Sequence, residues 1–187
     1  MIAVYVIIGI VVVGIFVLIA MYNSLVGLRN QVRNAWAQID VQLKRRHDLI
    51  PNLVETVRGY MTHERETLEA VTNARNLAQR AVGTGVEAQA KAEGELSSAL
   101  SRLLAVVENY PNLKANQNFL ALQEELTATE NRVGFSRQYY NDSVLRYNNK
   151  IQMFPSNIMA NMAGFKQEQF FQVSAAEERE APRVSFR

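Results

Sequence analysis

Cysteine is absent from this chain of 187 residues, which excludes disulfides, thiol catalysis and cysteine-ligated metal sites. Histidine is nearly absent too, since only His47 and His63 occur. His63 stands before a glutamate, as in half of a zinc-protease motif, but no second histidine follows four residues later. We therefore predict no metal site and expect both histidines at the surface, one near a kink and one near a helix start.

Acids and bases are interspersed along the chain, and the net charge is only +2. This pattern lacks the basic footprint of a nucleic-acid-binding protein. The glycines at positions 83 and 85 follow no strand and precede no lysine, so they form no phosphate-binding loop. No serine or threonine lies in a nucleophile motif. We predict that the protein is not an enzyme, has no catalytic residues and binds no cofactor.

A stretch without charge opens the chain at residues 2–22. As a helix it would rise about 31 Å, which matches the roughly 30 Å hydrocarbon core of a bilayer. A cleaved signal peptide would have a basic region before a shorter apolar run, and a buried helix of a small domain would show a polar face. We therefore predict a transmembrane anchor over residues 1–22, whose membrane-spanning residues include Ile2, Ile8, Val13, Phe16, Ile19 and the interfacial aromatic Tyr22.

Basic residues occur on only one side of this span. Met1 alone precedes it, whereas Arg29 and Arg33 follow it closely. Because basic flanks stay in the cytoplasm, the pattern predicts an N-terminus outside and a large domain inside the cell.

Apolar residues recur at spacings of three and four through residues 23–151, which indicates long amphipathic helices. The first stripe continues the span without an intervening proline, until Pro51 predicts a kink or short break near residues 47–51, with Asp48 capping the restarted helix. Thr62 and Asn112 are further candidate N-caps. The predicted bundle core includes Leu28, Val32, Trp36, Ile39, Leu43, Leu53, Val57, Leu103, Leu122 and Leu126.

Element lengths predict an all-α fold in which the N-terminal transmembrane helix continues into a long antiparallel helical bundle. Residues 23–61, 64–109 and 113–151 would form three long rods of similar length, followed by a short C-terminal helix. The middle rod is interrupted at residues 83–85. A four-helix path, in which the chain turns back at those glycines, is the alternative; the matched lengths favour three rods.

The C-terminal part divides in two. The cytoplasmic helical bundle is predicted over residues 23–172. Its last part, after Pro155, is rich in methionine and phenylalanine, which predicts a short helix over the bundle end or, alternatively, a contact with the membrane surface or another subunit. Residues 173–187 are charged and are expected to form a mobile tail unless a partner orders them.

Lys44, Arg45 and Arg46 could form a lipid or anion patch, although ion pairing on a solvated face fits better. A possible interface with a partner comprises Tyr140, Asn141, Tyr147, Asn148, Phe165 and Phe170.

Several segments resemble the LemA family of bacterial membrane proteins, above all WAQIDVQLKRRHDLIPNLV at residues 36–54 and RLLAVVENYPNLKANQNFLALQEELTATENRV at residues 102–133. The likeness covers essentially the whole chain. It implies a single N-terminal membrane helix, a long antiparallel bundle and a place in the bacterial inner membrane. It implies no established enzyme activity, and it implies a loose association with the HtpX membrane protease and with signalling.

Two functions are compatible with these features. The first is a non-enzymatic, membrane-anchored scaffold that self-associates into a homo-oligomer, since anchored copies share one plane and one orientation. The second is an adaptor or regulator that binds another membrane protein, such as an HtpX-like protease or a sensor kinase.

Overall fold

The computed structural model describes residues 1–61 and 63–172, and all regular structure within them is helical. This confirms the predicted all-α class, with a long apolar N-terminal helix, antiparallel long helices and a short C-terminal helix. Thr62, predicted as an N-cap, and the predicted mobile tail at residues 173–187 lie outside the described residues. The helices are α1 (Ile2–Arg58), α2 (Arg65–Ala81), α3 (Val86–Val107), α4 (Pro111–Lys114), α5 (Gln117–Gln152) and α6 (Ser156–Met162).

The chain forms two compact units. The anchor unit contains Met1–Asp40 and Gly134–Phe170. The hairpin unit contains Val41–Val133 and, among the described residues, Phe171 and Gln172. Both α1 and α5 contribute residues to each unit, so neither unit corresponds to a continuous stretch of sequence.

Of the kink or short break predicted near Pro51, the break is absent, since α1 continues to Arg58, and Asp48 lies inside the helix rather than at a cap. Proline has no N–H, so the carbonyl of His47, four residues earlier, loses its partner within the helix. Arg75 of α2 supplies a substitute, because its Nε donates to this carbonyl at 2.8 Å. A neighbouring helix thus satisfies the group that would otherwise favour a break.

The preferred three-rod path is wrong, because the chain turns back between α2 and α3. These two helices contact each other along their lengths. Tyr110, just after α3, places its hydroxyl 3.4 Å from Oε1 of Glu64, just before α2. Collinear helices would separate these residues by about 1.5 Å for each intervening residue, far beyond contact. Gly83 and Gly85 permit the reversal, since their φ angles are +79° and +123°.

An aliphatic core fills the hairpin unit. It unites the buried faces of α2 and α3 with the last turns of α1 and the first half of α5. Because α2 contributes alanines at Ala74 and Ala78, its backbone can approach its neighbours closely. The predicted core residues Leu53, Val57, Leu103 and Leu126 are buried in this cluster, and Leu122 packs against it half-buried. Leu43 is buried as well.

The anchor unit packs the middle of α1 against the second half of α5 and the segment after it. Val32 and Ile39 are buried, whereas Leu28 and Trp36 are half-buried. The Trp36 ring meets the Tyr140 ring edge-on, with centroids 5.1 Å apart. In contrast, the side chains of residues 2–20 are all exposed. Among the described residues, α1 is the one helix long and apolar enough to cross a membrane, and its apolar window has no buried residue. This suggests a single membrane anchor.

The start of α5 differs from the prediction, whereas the short C-terminal helix agrees with it. Asn116, rather than the predicted Asn112, caps α5, since its Oδ1 accepts the Phe119 N–H at 3.1 Å. Asn112 lies within α4, which separates the two long helices. The predicted short C-terminal helix is present as α6.

Candidate functional site

A buried cluster of charged side chains lies within the hairpin unit. Arg46 of α1 is only 1% exposed. Its Nη1 donates to Glu130 Oε2 at 2.5 Å and to Ser97 Oγ at 3.0 Å. Its Nη2 donates to a carboxylate oxygen of Glu93 and, at 3.2 Å, to the Glu93 carbonyl. One guanidinium thereby joins α1, α3 and α5.

His47 belongs to the same cluster and is buried, so its predicted surface position is wrong. Its Nε2 lies 2.8 Å from Glu93 Oε1, while Arg46 takes the other oxygen of that carboxylate. His47 follows the buried Leu43 by four residues, which turns it toward the interior. His63, in contrast, is exposed as expected.

The basic run at residues 44–46 does not form one patch. Lys44 and Arg45 are exposed, and Arg45 pairs with Glu125 of α5. The Arg46 side chain points in a different direction, into the buried cluster. Because neighbouring helical residues differ by about 100° in direction, three successive side chains reach different surroundings. Ion pairing therefore accounts for Arg45 and Arg46.

The polar groups of the cluster bind one another. Both oxygens of Glu93 are occupied, and Arg46 holds the Glu130 carboxylate as well. A half-open groove of about 210 Å³ runs beside Ser97 and Glu130, and Leu100 and Leu126 also line it. The described residues contain no group of three or more histidine, cysteine or acidic side chains arranged for a metal ion. The hydrogen bonds of the Arg46 cluster hold α1, α3 and α5 together.

Sequence reasoning missed Glu93, although the pattern held a signal for it. Gln89, Glu93, Leu96 and Leu100 recur at spacings of four and three, so the acid occupies a position of the apolar stripe. Arg46 likewise falls between Leu43 and Ile50 on the stripe of α1. A base and an acid on two buried stripes indicate a pair that meets inside the fold.

A second arrangement holds an extended segment in the anchor unit. This segment, residues 165–170, has no regular secondary structure and lies along α5. Asn148 Nδ2 donates to the Glu168 carbonyl at 2.9 Å, and its Oδ1 accepts the Glu168 N–H at 2.9 Å. The Tyr140 hydroxyl donates to the Gln169 carbonyl at 2.8 Å. These bonds satisfy backbone groups that helix packing alone would leave unpaired.

Phe165 fixes the start of this segment against α1. Its ring meets that of Tyr22 edge-on at 5.8 Å, and Arg29 Cζ lies 4.9 Å from its centroid, within cation–π range. The segment is thereby joined to the residue at the end of the apolar span.

The residues predicted as a possible partner interface differ in how far they are buried. Tyr140, Tyr147, Asn148 and Phe165 are buried within the chain, Asn141 is half-buried, and Phe170 is exposed. Burial, with a smaller contribution from the negative charge of Glu168, raises the pKa of Tyr140 to about 12. Burial followed by Glu168 also raises the pKa of Tyr147 above its usual value, although Arg29 and Arg33 oppose the shift. Both phenols therefore stay neutral over the physiological range.

Comparison with known proteins identifies related chains. A sequence model described as the LemA family matches residues 35–186. Magnetosome protein MamQ 2 of Paramagnetospirillum magneticum is 26% identical over 190 residues, covering 89% of this chain and 70% of that protein. Magnetosome protein MamQ of Magnetospirillum gryphiswaldense is 24% identical over 178 residues, covering 82% and 65%. Protein LemA of Metamycoplasma hominis is 26% identical over 162 residues, covering 87% and 74%.

Proposed function

Because the chain belongs to the LemA family, we propose that it is a non-enzymatic, membrane-anchored helical scaffold that self-associates into a homo-oligomer. The observation that carries this proposal is the continuity of α1, which passes from an exposed apolar span into a buried stripe without a break. A flexible linker would let each copy rotate freely above the membrane. A continuous helix instead gives all copies one orientation.

Common orientation favours lateral association. Copies anchored in one plane have a high effective concentration, so weak contacts between them suffice for assembly. Identical chains that associate side by side about an axis normal to the membrane form closed rings. The proposal therefore needs only a modest apolar contact on the side of the anchor unit.

Helix α5 offers such a contact at Phe135 and Tyr139. Phe135 is 73% exposed, the highest exposure of any large apolar side chain between Val41 and Gln152 among the described residues. Tyr139 follows one turn later on the same face and is also exposed, with its hydroxyl 3.4 Å from Gln31 Nε2. Aromatic side chains of this kind are enriched in interfaces between subunits.

The experiment that tests self-association is size analysis of the full-length protein extracted with its native lipids. We expect particles that contain several copies. Phe135→Glu should reduce their size, because it places a charge in the contact. Leu145→Glu is the matched control, since Leu145 is exposed on α5 but points about 80° away from Phe135.

Monomers at every concentration would overturn the scaffold proposal. Particles that contain one copy together with a different membrane protein would support the alternative function, that of an adaptor or regulator for a protease or sensor kinase. Equal effects of the two glutamate variants would mean that the Phe135 face is not the contact.

We further propose that the anchor lies in the bacterial inner membrane, with the N-terminus outside and both units in the cytoplasm. Arg29 and Arg33, which directly follow the span, support this orientation. Since the chain lacks cysteine, a cysteine inserted after Met1 and, separately, Glu95→Cys can report the orientation in intact cells. A membrane-impermeant maleimide should label the inserted cysteine directly and Glu95→Cys only after permeabilisation, and the reverse pattern would invert the orientation.

A further inference from the structure

The turn between α5 and α6 exposes an unusual set of apolar side chains within the anchor unit. They are between 52% and 79% exposed, and Phe154 and Met162 are the most exposed of the four. Ile158 and Met162 are four residues apart, so they lie on one face of α6. We call this set the turn patch; it consists of Met153, Phe154, Ile158 and Met162.

The fold holds the turn patch outward. Ser156 is buried, and its Oγ lies 2.6 Å from the Lys150 carbonyl and 2.9 Å from the Met153 carbonyl. Ala160 is also buried, on the opposite face of α6 from the exposed residues. These contacts fix the inner side of the turn, so that its apolar outer side cannot turn inward.

The turn patch lies beside the end of the membrane span. The Phe165 N–H donates to the Ala160 carbonyl at 2.9 Å, which ties the C-terminal end of α6 to Phe165. Phe165 in turn contacts Tyr22, where the apolar run ends. Since α6 has seven residues, its whole length is only about 10 Å. The C-terminal end of α6, which carries Met162, therefore lies near the residue where the apolar span ends.

Basic residues predominate in the two stretches that build this end of the anchor unit, although Glu168, whose backbone Asn148 binds, adjoins the second stretch. Acidic residues number 18 in the chain, yet none occurs before Asp40 or between Asp142 and Glu168. The same two stretches contain five basic residues, which are Arg29, Arg33, Arg146, Lys150 and Lys166. An excess of basic residues in the same part of the chain as exposed apolar side chains matches an anionic lipid surface, where head groups attract the bases and the acyl boundary accepts the apolar groups.

From this geometry we infer that the turn patch is a second membrane contact, which inserts into the head-group region of an anionic leaflet beside the anchor helix. The inference rests on the membrane anchor of the proposed function but not on self-association. The proximity of α6 to the end of the span and the excess of basic residues favour lipid over a protein as the occupant. The anchor unit is thereby held to the bilayer at two points, the span and the turn.

The test places a polarity-sensitive fluorophore on single cysteines in the full-length protein. Phe154→Cys reports the patch, and Phe135→Cys is the control, since both side chains are highly exposed phenylalanines of the anchor unit. Phe135 lies about 26 Å along α5 from the end of that helix. Each labelled protein is reconstituted at one copy per nanodisc, with and without anionic phosphatidylglycerol, and with a lipid that carries a nitroxide quencher on its head group.

We expect the label at position 154 to shift to shorter wavelength and to lose most of its fluorescence to the quencher, while the label at position 135 is unchanged. Quenching at position 154 should fall in discs without phosphatidylglycerol and after Arg146→Gln with Lys166→Gln. Equal behaviour of the two labels would overturn the inference. Quenching or a wavelength shift that requires several copies per disc would also overturn it, because a second copy would then cover the patch.

Discussion

The hairpin unit and the anchor unit bury different kinds of polar group. The hairpin unit encloses an ion pair, because Arg46 and Glu93 meet inside an otherwise aliphatic core, with the His47 ring beside them. The anchor unit encloses neutral groups, because the hydroxyl of Tyr140 and the amide of Asn148 bind the backbone of an extended segment. Buried ions impose strict geometry and a large penalty if one partner is removed, whereas neutral groups carry a smaller penalty.

The two units also differ in where their acidic and basic residues occur along the chain. The stretches of the anchor unit before Asp40 and between Asp142 and Glu168 keep all their charges basic. If those bases contact lipid head groups, as we propose, a buried acid in these stretches would compete for them. The acids instead cluster in the hairpin unit, where Glu93 and Glu130 fix Arg46.

Removal of Glu93 should have the largest effect. Glu93→Ala leaves Arg46 buried beside a missing partner, and we expect a loss of about 3–5 kcal/mol in the free energy of unfolding. Glu95→Ala, at an exposed site on the same helix, should cost less than about 0.5 kcal/mol. Denaturant unfolding of the full-length protein in detergent, followed by circular dichroism, measures both.

The double variant Arg46→Met with Glu93→Leu sharpens this prediction. It removes both charges and retains volume, so it should be more stable than Glu93→Ala. A Glu93→Ala variant as stable as Glu95→Ala would show that the cluster contributes nothing to the hairpin unit.

Alkaline pH should weaken the anchor unit. The folded state retains the Tyr140 proton up to a pKa of about 12, whereas the unfolded chain releases it near the ordinary value of 10.0. Unfolding thus releases a proton in this window, and the stabilisation that is complete below pH 10 is lost as the pH rises to about 12. The shift corresponds to at most about 3 kcal/mol.

Tyr140→Phe isolates this contribution. The variant loses the bond to the Gln169 carbonyl, so it should be less stable at neutral pH but should show a flatter decline above pH 10. Unfolding curves at a series of pH values measure the slope, and an unchanged slope would contradict the assignment to Tyr140.

Arg75→Met should have an intermediate effect, confined to the hairpin unit. It removes the donor that satisfies the His47 carbonyl opposite Pro51, and we expect a loss of about 1.5–3 kcal/mol. In a Pro51→Ala background the loss should be smaller, because the new N–H at position 51 can bind that carbonyl within α1. A double-mutant cycle measures the difference, and strictly additive losses would refute the compensation.

Glycine substitutions should give the smallest effects, with opposite signs. Gly83→Ala should cost about 1–2 kcal/mol, since its φ of +79° disfavours any side chain although space is available. Gly134→Ala in α5 should stabilise by about 0.5–1 kcal/mol, because a helical Cβ there meets nothing within 4 Å. Thermal unfolding measures both, and a shift of the same sign would argue against the reversal at residues 83–85.

The sequence predicts the helices well because each has a clear apolar period, from Val32 and Ile39 in α1 to Leu122 and Leu126 in α5. It does not predict the path at residues 83–85, since glycine permits a reversal without requiring one. It also allows a break at Pro51 that α1 does not have, because the arginine that satisfies the freed carbonyl comes from a different helix. The role of Asn148 is likewise set by a distant partner, whereas the apolar stripe around Glu93 signals that this acid is buried but does not show the geometry of its pair with Arg46.

The carbonyl of His47, which Pro51 leaves without a partner within α1, affects how α2 aligns with α1. An amphipathic helix repeats itself closely at each heptad, so two packed helices can slide past one another by a step and still match apolar faces. Pro51 creates a single acceptor along that otherwise repetitive surface, and Arg75 can bind it at only one axial position. Pro51, by exposing this carbonyl, and Arg75, by binding it, therefore fix the axial position of α2 along α1.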